Sequence, residues 1–418
     1  MGTDQVRAPQ YQRTANAMPT VVMVGGGQLA RMTHQAAIAL GQSLRVLAAS
    51  PDESAAQVAR DVVLGRHDDL DALRKAASGS TVLTFDHEHV PPQHLETLIS
   101  EGVNVQPPPA ALIHAQDKLI MRRRLEAIGA PVPPFAEVQS VADAEKFAET
   151  HGYPFVLKAT RGGYDGKGVW IVDNAAELEK LVTESLAAGT TLLAEEKVNM
   201  RRELSAMVAR SPLGQGATWP VVETVQRNGV CAVVMAPAPA LADSTAAQAQ
   251  QLALRIAETL GVTGCLAVEL FETEDGRILV NELAMRPHNS GHWTMDGAVT
   301  SQFEQHIRAT LDYPLGDTSP TAPVTVMANI LGADNPPTMS MDERVHHLCA
   351  RMPEAKVHLY GKGERPGRKL GHVNVRGTGT GSHHDAEYVH QVREKAEMAA
   401  HWLIHAVWTD GWDPHSGH

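Results

Sequence analysis

The stretch Phe155-Val-Leu-Lys-Ala-Thr-Arg-Gly-Gly-Tyr-Asp-Gly-Lys-Gly168 is followed directly by Val169-Trp-Ile-Val172, so two apolar segments enclose a glycine-rich loop. This strand–loop–strand order differs from Walker and Rossmann motifs, in which the glycine-rich loop leads into a helix. Glycines keep such a tip mobile and let backbone amides close over phosphates. Lys158, at the end of the first strand, can reach a phosphate as a point charge. We therefore predict a flexible lid over a nucleotide; a plain surface hairpin is the alternative.

A second hairpin is predicted at Glu269-Leu-Phe-Glu-Thr-Glu-Asp-Gly-Arg-Ile-Leu-Val-Asn-Glu282, because Asp275-Gly276 is the preferred pair for a two-residue turn. A regular hairpin around that turn has the opposing pairs Glu274–Arg277, Phe271–Val280 and Glu269–Glu282. Two carboxylates opposed on one sheet face repel each other. A divalent cation such as Mg²⁺, shared with nucleotide phosphates, would offset this repulsion. A solvated sheet edge, with both acids in water, is the alternative.

The N-terminal part of the chain alternates strands and helices, which indicates a parallel sheet. Its first strand enters a glycine turn and a helix, in Val21-Val-Met-Val-Gly-Gly-Gly-Gln-Leu-Ala-Arg-Met32. Further strands are predicted at LRVLAAS, VVLG and TVLTFD, with helices near 52–60 and 68–77. A helix start after a glycine turn favours an anion. The ligand could be a dinucleotide, ATP or a phosphorylated substrate, and a tight turn without ligand is the alternative.

The run Gln106-Pro-Pro-Pro109 interrupts the alternation and predicts a domain boundary, after which Asp117 caps a helix closed by Gly129. The predicted domains are a flexible N-terminal extension at 1–19, a Rossmann-like substrate domain at 20–115, a nucleotide-binding domain at 116–318 with the lid at 155–195 and the metal hairpin at 265–290, a C-terminal domain at 319–410 and a tail at 411–418.

The composition is that of an ordinary globular protein, with 418 residues, 43% of them hydrophobic, and a formal net charge of -12. The negative charge argues against nucleic acid or a membrane as partner. Three widely separated cysteines predict a reducing, cytoplasmic setting. The polar N-terminal segment lacks the apolar region of a signal peptide, which agrees with this prediction. The 21 histidines leave a histidine metal site as an alternative, but they are scattered and lack cysteine pairs.

Four longer motifs resemble the ATP-grasp superfamily and, within it, the 5-(carboxyamino)imidazole ribonucleotide synthase family of purine biosynthesis. These motifs are GGYDGKG at 162–168, NELAMRPHNSGHWT at 281–294, SQFEQHIRA at 301–309 and RPGRKLGHVN at 365–374. GGGQLARM at 25–32 is similar to the family's N-terminal loop, with Ala30 where Gly is frequent. The resemblance, which covers about 20–410, implies an α/β ATP-grasp fold with an N-terminal Rossmann-like (pre-ATP-grasp) parallel-sheet domain and a small C-terminal β-rich domain.

The resemblance also implies the residues that bind ATP and metal. The implied ATP contacts are Lys118, Lys158, Gly163, Tyr164, Asp165, Gly166, Lys167, Gly168, Glu195, Glu196, Lys197, Val198, Glu203, Asn281 and Glu282. Two Mg²⁺ ions, or Mn²⁺, would bind Glu269 and Glu282, the pair that the hairpin indicates independently. Ala284 stands where many members carry Asn, so the second ion would depend more on phosphates and water.

The remaining implied roles concern catalysis and the second substrate. Asp165 beside Tyr164 is the implied base, and Mg²⁺, Lys158 and Arg286 would neutralise the transferring phosphoryl group. Lys167 stands where relatives carry Lys or Arg, so a further catalytic cation is expected there. The implied substrate contacts are Gly27, Gln28, Leu29, Glu88, Asn289, Lys362, Arg365, Arg368 and Lys369. The basic segment around Lys362 is thus expected to hold the same 5′-phosphate as the glycine turn, although a solvated charge run is the alternative.

The reaction that the resemblance implies is an ATP-dependent carboxylation in de novo purine (IMP) biosynthesis. ATP phosphorylates bicarbonate to carboxyphosphate, which releases CO₂ beside the exocyclic amine of 5-aminoimidazole ribonucleotide and gives a carbamate, ADP and phosphate. A homodimer that passes its product to a mutase is implied as well. Three alternatives stay open: another ATP-grasp ligase, such as a formate-dependent glycinamide ribonucleotide transformylase; a Rossmann oxidoreductase, based only on GGGQLA; and a regulatory nucleotide-binding module without turnover.

Overall fold

The computed structural model describes residues 18–162 and 168–412, which form three sheets and their helices. The predicted N-terminal extension and C-terminal tail therefore lie outside the described residues, except for 18–19 and 411–412. Within the described residues, no helix combines the length and the apolar character needed to cross a membrane.

The first sheet is parallel, as predicted, with the strand order β3-β2-β1-β4. Its strands are β1 (Val21–Val24), β2 (Leu44–Ala48), β3 (Asp61–Leu64) and β4 (Val82–Phe85), and the helices of this region are α1 (Gln28–Ala39), α2 (Leu70–Ala77), α3 (Pro92–Ser100) and α4 (Pro109–Gln116). The helix predicted near 52–60 is wrong, because turns occupy most of this segment. The amide of Ala55 there donates to the carbonyl of Gly26 at 2.8 Å, which fastens the segment to the glycine turn.

The second sheet is antiparallel, has the order β5-β8-β6-β7 and contains the predicted glycine-rich hairpin. Its strands are β5 (Phe135–Val138), β6 (Phe155–Ala159), β7 (Val169–Val172) and β8 (Leu192–Glu196), and its helices are α5 (Lys118–Ala127), α6 (Val141–His151) and α7 (Ala175–Ala187). The predicted cap of α5 is confirmed, because Asp117 accepts from the amides of Leu119 and Ile120. The strands flanking the glycine-rich loop pair as predicted, with Lys158 opposite Val169.

The third sheet has nine strands and runs through the rest of the chain. Its strands are β9 (Met200–Arg210), β10 (Gly216–Thr218), β11 (Val222–Arg227), β12 (Val230–Ala236), β13 (Gly264–Thr273), β14 (Ile278–Ala284), β15 (Thr325–Leu331), β16 (Lys356–Leu359) and β17 (Lys369–Arg376). The helices here are α8 (Asp243–Thr259), α9 (Thr294–Gly297), α10 (Gln302–Thr310), α11 (Met341–Arg351) and α12 (Ala386–His405), with a 3₁₀ turn at Asn289–Gly291. Strand β15 pairs with β12, so the C-terminal strands extend the sheet that carries the acidic hairpin.

The acidic hairpin β13–β14 pairs Glu269 with Glu282, which confirms that prediction. Its turn differs from the predicted one, because the amide of Thr273 donates to the carbonyl of Arg277 and leaves a three-residue loop. The predicted pairs Phe271–Val280 and Glu274–Arg277 are therefore wrong, and Phe271 lies opposite Leu279. A bulge beyond Leu270 inserts Asn281 as an extra residue and restores the expected register at the two glutamates.

The glycine turn after β1 lies where β1 and β4 end side by side, the crevice in which parallel sheets commonly bind ligands. Gly25 has a φ of +106°, and a Cβ there would lie 1.8 Å from Oδ1 of Asp86. The amide of Gly27, at the start of α1, donates to Oδ2 of the same carboxylate at 2.7 Å. Glycine at position 25 is thus required both by backbone conformation and by the close approach of Asp86.

We expect Gly25→Ala to lower the free energy of unfolding by at least twice as much as Gly102→Ala. Gly102 is the matched control because its φ is +90° and a Cβ there would meet nothing within 4 Å. The control therefore costs only the backbone strain, about 1 kcal/mol, whereas Gly25→Ala also forces Asp86 to move. Urea denaturation of both variants measures the difference, and equal losses would contradict the packing argument.

Candidate active site

A cavity of about 1110 Å³ joins the glycine turn of the first sheet to the acidic hairpin of the third. Sequence-predicted residues from widely separated segments line it: Gly27, Gln28, Leu29, Glu88, Lys118, Glu269, Glu282, Arg286, Asn289 and Lys369. The structure therefore gathers predicted nucleotide, metal and substrate residues around one space.

The two opposed glutamates are both accessible from the cavity, with side-chain exposed fractions of 31% for Glu269 and 37% for Glu282. Each carboxylate has its own basic neighbour: Nζ of Lys118 lies 2.5 Å from Oε1 of Glu282, and Nε2 of His288 lies 3.1 Å from Oε1 of Glu269. Burial by itself would raise the pKa of Glu269, but His288, together with Arg286 and Lys118, holds it below its ordinary value. The carboxylate of Glu269 is therefore ionised at neutral pH.

The acidic pair fits a divalent cation that takes its other ligands from a nucleotide and water. Across residues 18–162 and 168–412, no group of three or more His, Cys, Asp or Glu side chains is arranged to hold a metal ion. Mg²⁺ commonly uses one or two carboxylates together with phosphates, and a pair of glutamates is enough for that mode of binding. The cavity-lining Ala284 supplies no ligand atom from its side chain.

Lys158 lies beside the acidic hairpin in a buried polar cluster. Its Nζ is 2.8 Å from Oε1 of Glu195 and 3.3 Å from Oδ1 of Asn281. The other oxygen of Glu195 lies 2.8 Å from Nη2 of Arg122. Three predicted ATP contacts thus meet here, and two ion pairs occupy the carboxylate of Glu195.

The predicted meeting of the basic C-terminal loop with the glycine turn is present in the structure. Nζ of Lys362 donates to Oε1 of Gln28 at 2.5 Å, although 334 positions separate the two residues. A second cavity of about 430 Å³ adjoins this contact and is lined by Gly27, Lys362 and Arg368. Burial, and then the repulsion of Arg368 and other cations, lowers the pKa of Lys362 to about 8. The cations of this loop therefore lie close together, next to the start of α1.

Asp86 binds to the glycine turn, where the sequence predicted a substrate phosphate. Its carboxylate accepts from the amide of Gly27, so this amide is already satisfied. Burial raises the pKa of Asp86 to about 6, against the opposing effects of Gly27 and Arg286. An anion bound at this turn would therefore contact Gln28 and the basic loop rather than the amide of Gly27.

Arg286 connects the acidic pair with the glycine turn. Its Nε lies 2.8 Å from Oε2 of Glu88, and both side chains line the large cavity. Burial alone would lower the pKa of Arg286. The charges of Glu88, Asp86 and Glu269 outweigh this effect and raise the pKa of Arg286 above its ordinary value. A permanent cation thus lies between the two halves of the cavity.

Other predicted residues lie farther from this centre or outside the described residues. Gly168 precedes β7, Glu196 ends β8 with Lys197 and Val198 behind it, Glu203 lies on β9, and Arg365 lies in the loop before β17. Burial and then the nearby charge of Glu269 raise the pKa of Glu203, against a hydrogen bond to Gln226. Gly163, Tyr164, Asp165, Gly166 and Lys167 lie outside the described residues.

Sequence reasoning missed three residues that organise the site. Asp86 follows β4 directly, and its position at the carboxyl end of a strand beside β1 is the signal that could have revealed it. Arg122 lies four residues after Lys118 on α5, a spacing that puts both on one helix face. His288 was quoted only within a motif, and its contact with Glu269 depends on tertiary structure.

Comparison with known proteins gives three family matches in chain order. They are the ribonucleotide synthetase preATP-grasp domain over residues 18–116, the ATP-grasp domain over 123–303 and the phosphoribosylaminoimidazole carboxylase C-terminal domain over 325–386. An N5-carboxyaminoimidazole ribonucleotide synthase of Mycobacterium leprae (strain TN) is 63% identical over 407 residues, which is 95% of this chain and 92% of the relative.

Solved structures agree with these matches. The ADP complex of an N5-carboxyaminoimidazole ribonucleotide synthetase superposes with a TM-score of 0.81 at 34% identity, covering 92% of this chain and 97% of the other. The Aspergillus clavatus enzyme in complex with ADP and 5-aminoimidazole ribonucleotide has a TM-score of 0.80 at 31% identity, covering 91% and 98%. The predicted fold, ATP-grasp with an N-terminal pre-ATP-grasp parallel-sheet domain and a C-terminal domain, is confirmed.

Proposed function

This chain belongs to the N5-carboxyaminoimidazole ribonucleotide synthase family of ATP-grasp ligases, and we propose that it carboxylates 5-aminoimidazole ribonucleotide with ATP and bicarbonate. The observation that carries the proposal is that the cavity of about 1110 Å³ is lined both by Glu269 and Glu282 and by Gly27 of the glycine turn. Such a cavity can hold a nucleoside triphosphate at one end and a phosphorylated acceptor at the other. The Aspergillus clavatus relative was crystallised with a nucleotide and this acceptor.

The ATP phosphates would lie between Lys158 and the acidic hairpin, within reach of Lys118. Bound Mg²⁺, or Mn²⁺, at Glu269 and Glu282 would neutralise phosphate charge during transfer. Lys118 pairs with Glu282, and His288 pairs with Glu269. If a divalent cation took the place of Lys118 at Glu282, Lys118 would be available to a phosphate. Of the other proposed ATP contacts, Gly168 precedes β7, Glu195 and Glu196 end β8, Lys197 and Val198 follow it, and Glu203 lies on β9.

The ribonucleotide would place its 5′-phosphate between Gln28 and the basic loop of Lys362 and Arg368. Leu29, Arg365 and Lys369 are further proposed contacts around the same group. Glu88 and Asn289 line the cavity farther in, where they can hold the ribose and the aminoimidazole. This arrangement would direct the exocyclic amine toward Arg286, at the centre of the cavity.

Bicarbonate would bind close to Arg286, since an anion needs a cation there and the phosphoryl group must reach it. Transfer from ATP gives carboxyphosphate and ADP, and decay of carboxyphosphate gives phosphate and CO₂. The amine attacks CO₂, and the proton it loses in forming the carbamate passes to a base. Asp165, with Tyr164 and Lys167 beside it, is proposed for the base by resemblance alone and lies outside the described residues. A closed site would protect carboxyphosphate from water.

Further parts of the proposal depend on the resemblance rather than on the site. We propose a homodimer whose product passes to a mutase. The three unpaired cysteines support the proposed reducing, cytoplasmic setting. We propose domain limits of 20–115, 116–318 and 319–410, close to the three family matches.

Phosphate release from ATP tests the reaction. We expect phosphate release to require bicarbonate, from which carboxyphosphate forms, and carbamate formation to require 5-aminoimidazole ribonucleotide as well, because its amine must trap the CO₂. A coupled phosphate assay and the consumption of the ribonucleotide, each with one component omitted in turn, measure these two dependences. Formate in place of bicarbonate should give no product; product formation with formate and glycinamide ribonucleotide would favour the transformylase alternative, and NADH oxidation would favour an oxidoreductase.

Glu269→Gln and Glu282→Gln should each lower ATP turnover by a factor of 100 or more, because each removes the charge of a proposed metal ligand. Glu274→Gln is the matched control, since this glutamate is exposed in the loop of the same hairpin. The control should keep normal turnover, and the thermal stability of all three variants should stay close to that of the parent. Near-normal kcat in both active-site variants would contradict the metal assignment.

Lys362→Ala should raise the KM for the ribonucleotide about tenfold or more, the usual loss for a hydrogen bond to a charged group, and leave the KM for ATP within about twofold. In the unsubstituted enzyme, kcat/KM for the ribonucleotide should fall above pH 8, because Lys362 loses its proton near that pH. Lys362→Ala should lack this fall. Lys395→Ala, an exposed cation on α12, is the control. An effect confined to the KM for ATP would contradict the assignment.

A further inference from the structure

Arg122 is a buried cation that has no role in the reaction described above. Its side chain is 1% exposed, and it contacts Glu195, which is 2% exposed. Glu195 in turn contacts Lys158, which is 9% exposed, and both contacts measure 2.8 Å. Two cations thus share one carboxylate in a region nearly closed to water.

The fold holds the three side chains in fixed positions. Leu193 lies opposite Lys158 in the antiparallel pair of β6 and β8, so Glu195, two residues away, is on the same sheet face. Helix α5 brings Arg122 to this face, and the helix is joined to the end of β6 because the amide of Lys118 donates to the carbonyl of Thr160, the residue after that strand, at 2.8 Å. The cluster therefore connects a helix with two strands.

The charges of the cluster explain why two cations are needed. If Glu195 paired with Lys158 alone, the pair would carry no net charge, and the ammonium group would attract a triphosphate only weakly. Arg122 adds a second positive charge, so that the cluster keeps a net charge of one unit. Charge effects of this kind are strong in a buried site, where the effective dielectric constant is low.

We propose that Arg122 is a positioning residue for Lys158: it balances the charge of Glu195, so that Glu195 can orient the Lys158 ammonium group without neutralising it. The inference rests on the proposed function, in which Lys158 binds the ATP phosphates. The contact of Lys158 with Asn281, the bulge residue next to Glu282, supports it, because the ammonium group then points toward the acidic hairpin.

Arg122→Met keeps the length of the side chain and removes its charge. We expect kcat/KM for ATP to fall at least tenfold, because Glu195 then holds Lys158 as its only charged partner. The KM for the ribonucleotide should stay within about twofold, and Arg122→Lys should recover kcat/KM for ATP to within about threefold of the parent. Arg123→Met is the matched control, because Arg123 is the next residue of α5 and is 58% exposed beside Glu137. It should behave as the parent.

Two combined variants separate a positioning role from a structural one. In a background that carries both Lys158→Met and Glu195→Gln, adding Arg122→Met should cause no further loss in kcat/KM for ATP, since the group it serves is absent and no buried acid is left without a cation. Adding Glu195→Gln to Arg122→Met should raise kcat/KM for ATP at least threefold above that of Arg122→Met alone, because no carboxylate is left to neutralise Lys158. This double variant also avoids an uncompensated buried acid if Arg122→Met alone folds poorly.

The outcomes distinguish the inference from the function on which it rests. If Lys158→Met keeps normal kcat/KM for ATP, the proposed role of Lys158 in ATP binding is wrong. If Lys158→Met loses activity but Arg122→Met does not, only the positioning role is wrong. A further loss when Arg122→Met is added to the Lys158→Met, Glu195→Gln background, or equal losses toward both substrates, would likewise overturn it.

Discussion

The repulsion between Glu269 and Glu282 is the constraint on which the site depends. Opposed carboxylates on one sheet face destabilise a hairpin unless cations compensate them. Here Lys118 reaches Glu282 from α5, and His288 reaches Glu269 from the segment after β14. A hydrogen-bonded serine pair, Ser205 and Ser290, in turn supports His288. Lys118 and the hydrogen-bonded His288 thus compensate in part for the charges that the proposed metal–nucleotide complex would balance.

The sequence predicted this pair correctly, although the local geometry it assumed was wrong. The preference of Asp-Gly for two-residue turns led to a regular hairpin, whereas Thr273 and Arg277 close a three-residue loop. The bulge at Asn281 then moves the register back. Bulges depend on what a strand packs against, so local propensity cannot place them. The opposition of the two glutamates was predictable only because the two departures cancel.

Contacts between distant segments account for most of what the sequence could not predict. Strand pairs, the cap at Asp117 and the glycine turn arise from local patterns, and the structure contains them. Other contacts depend on tertiary packing, such as the hydrogen bond from the amide of Gly27 to Asp86 and the pairing of β15 with β12. The meeting of Lys362 with Gln28 was expected only through the resemblance, because composition can show a basic segment but not its partner.

Helix α5 brings cations of a protein with a net charge of -12 to the proposed triphosphate site. Its Lys118 and Arg122 lie four residues apart on one face, and each pairs with a carboxylate of a different sheet, Glu282 in the third and Glu195 in the second. A movement of one sheet relative to the other must therefore strain or break one of these two ion pairs. Phosphates and a divalent cation would supply new partners for Lys118 and Glu282, while the buried pair of Arg122 and Glu195 has no access to them. In the proposed reaction the cavity-lining pair of Lys118 and Glu282 would exchange partners, whereas the buried pair keeps α5 attached to the strand that carries Glu195.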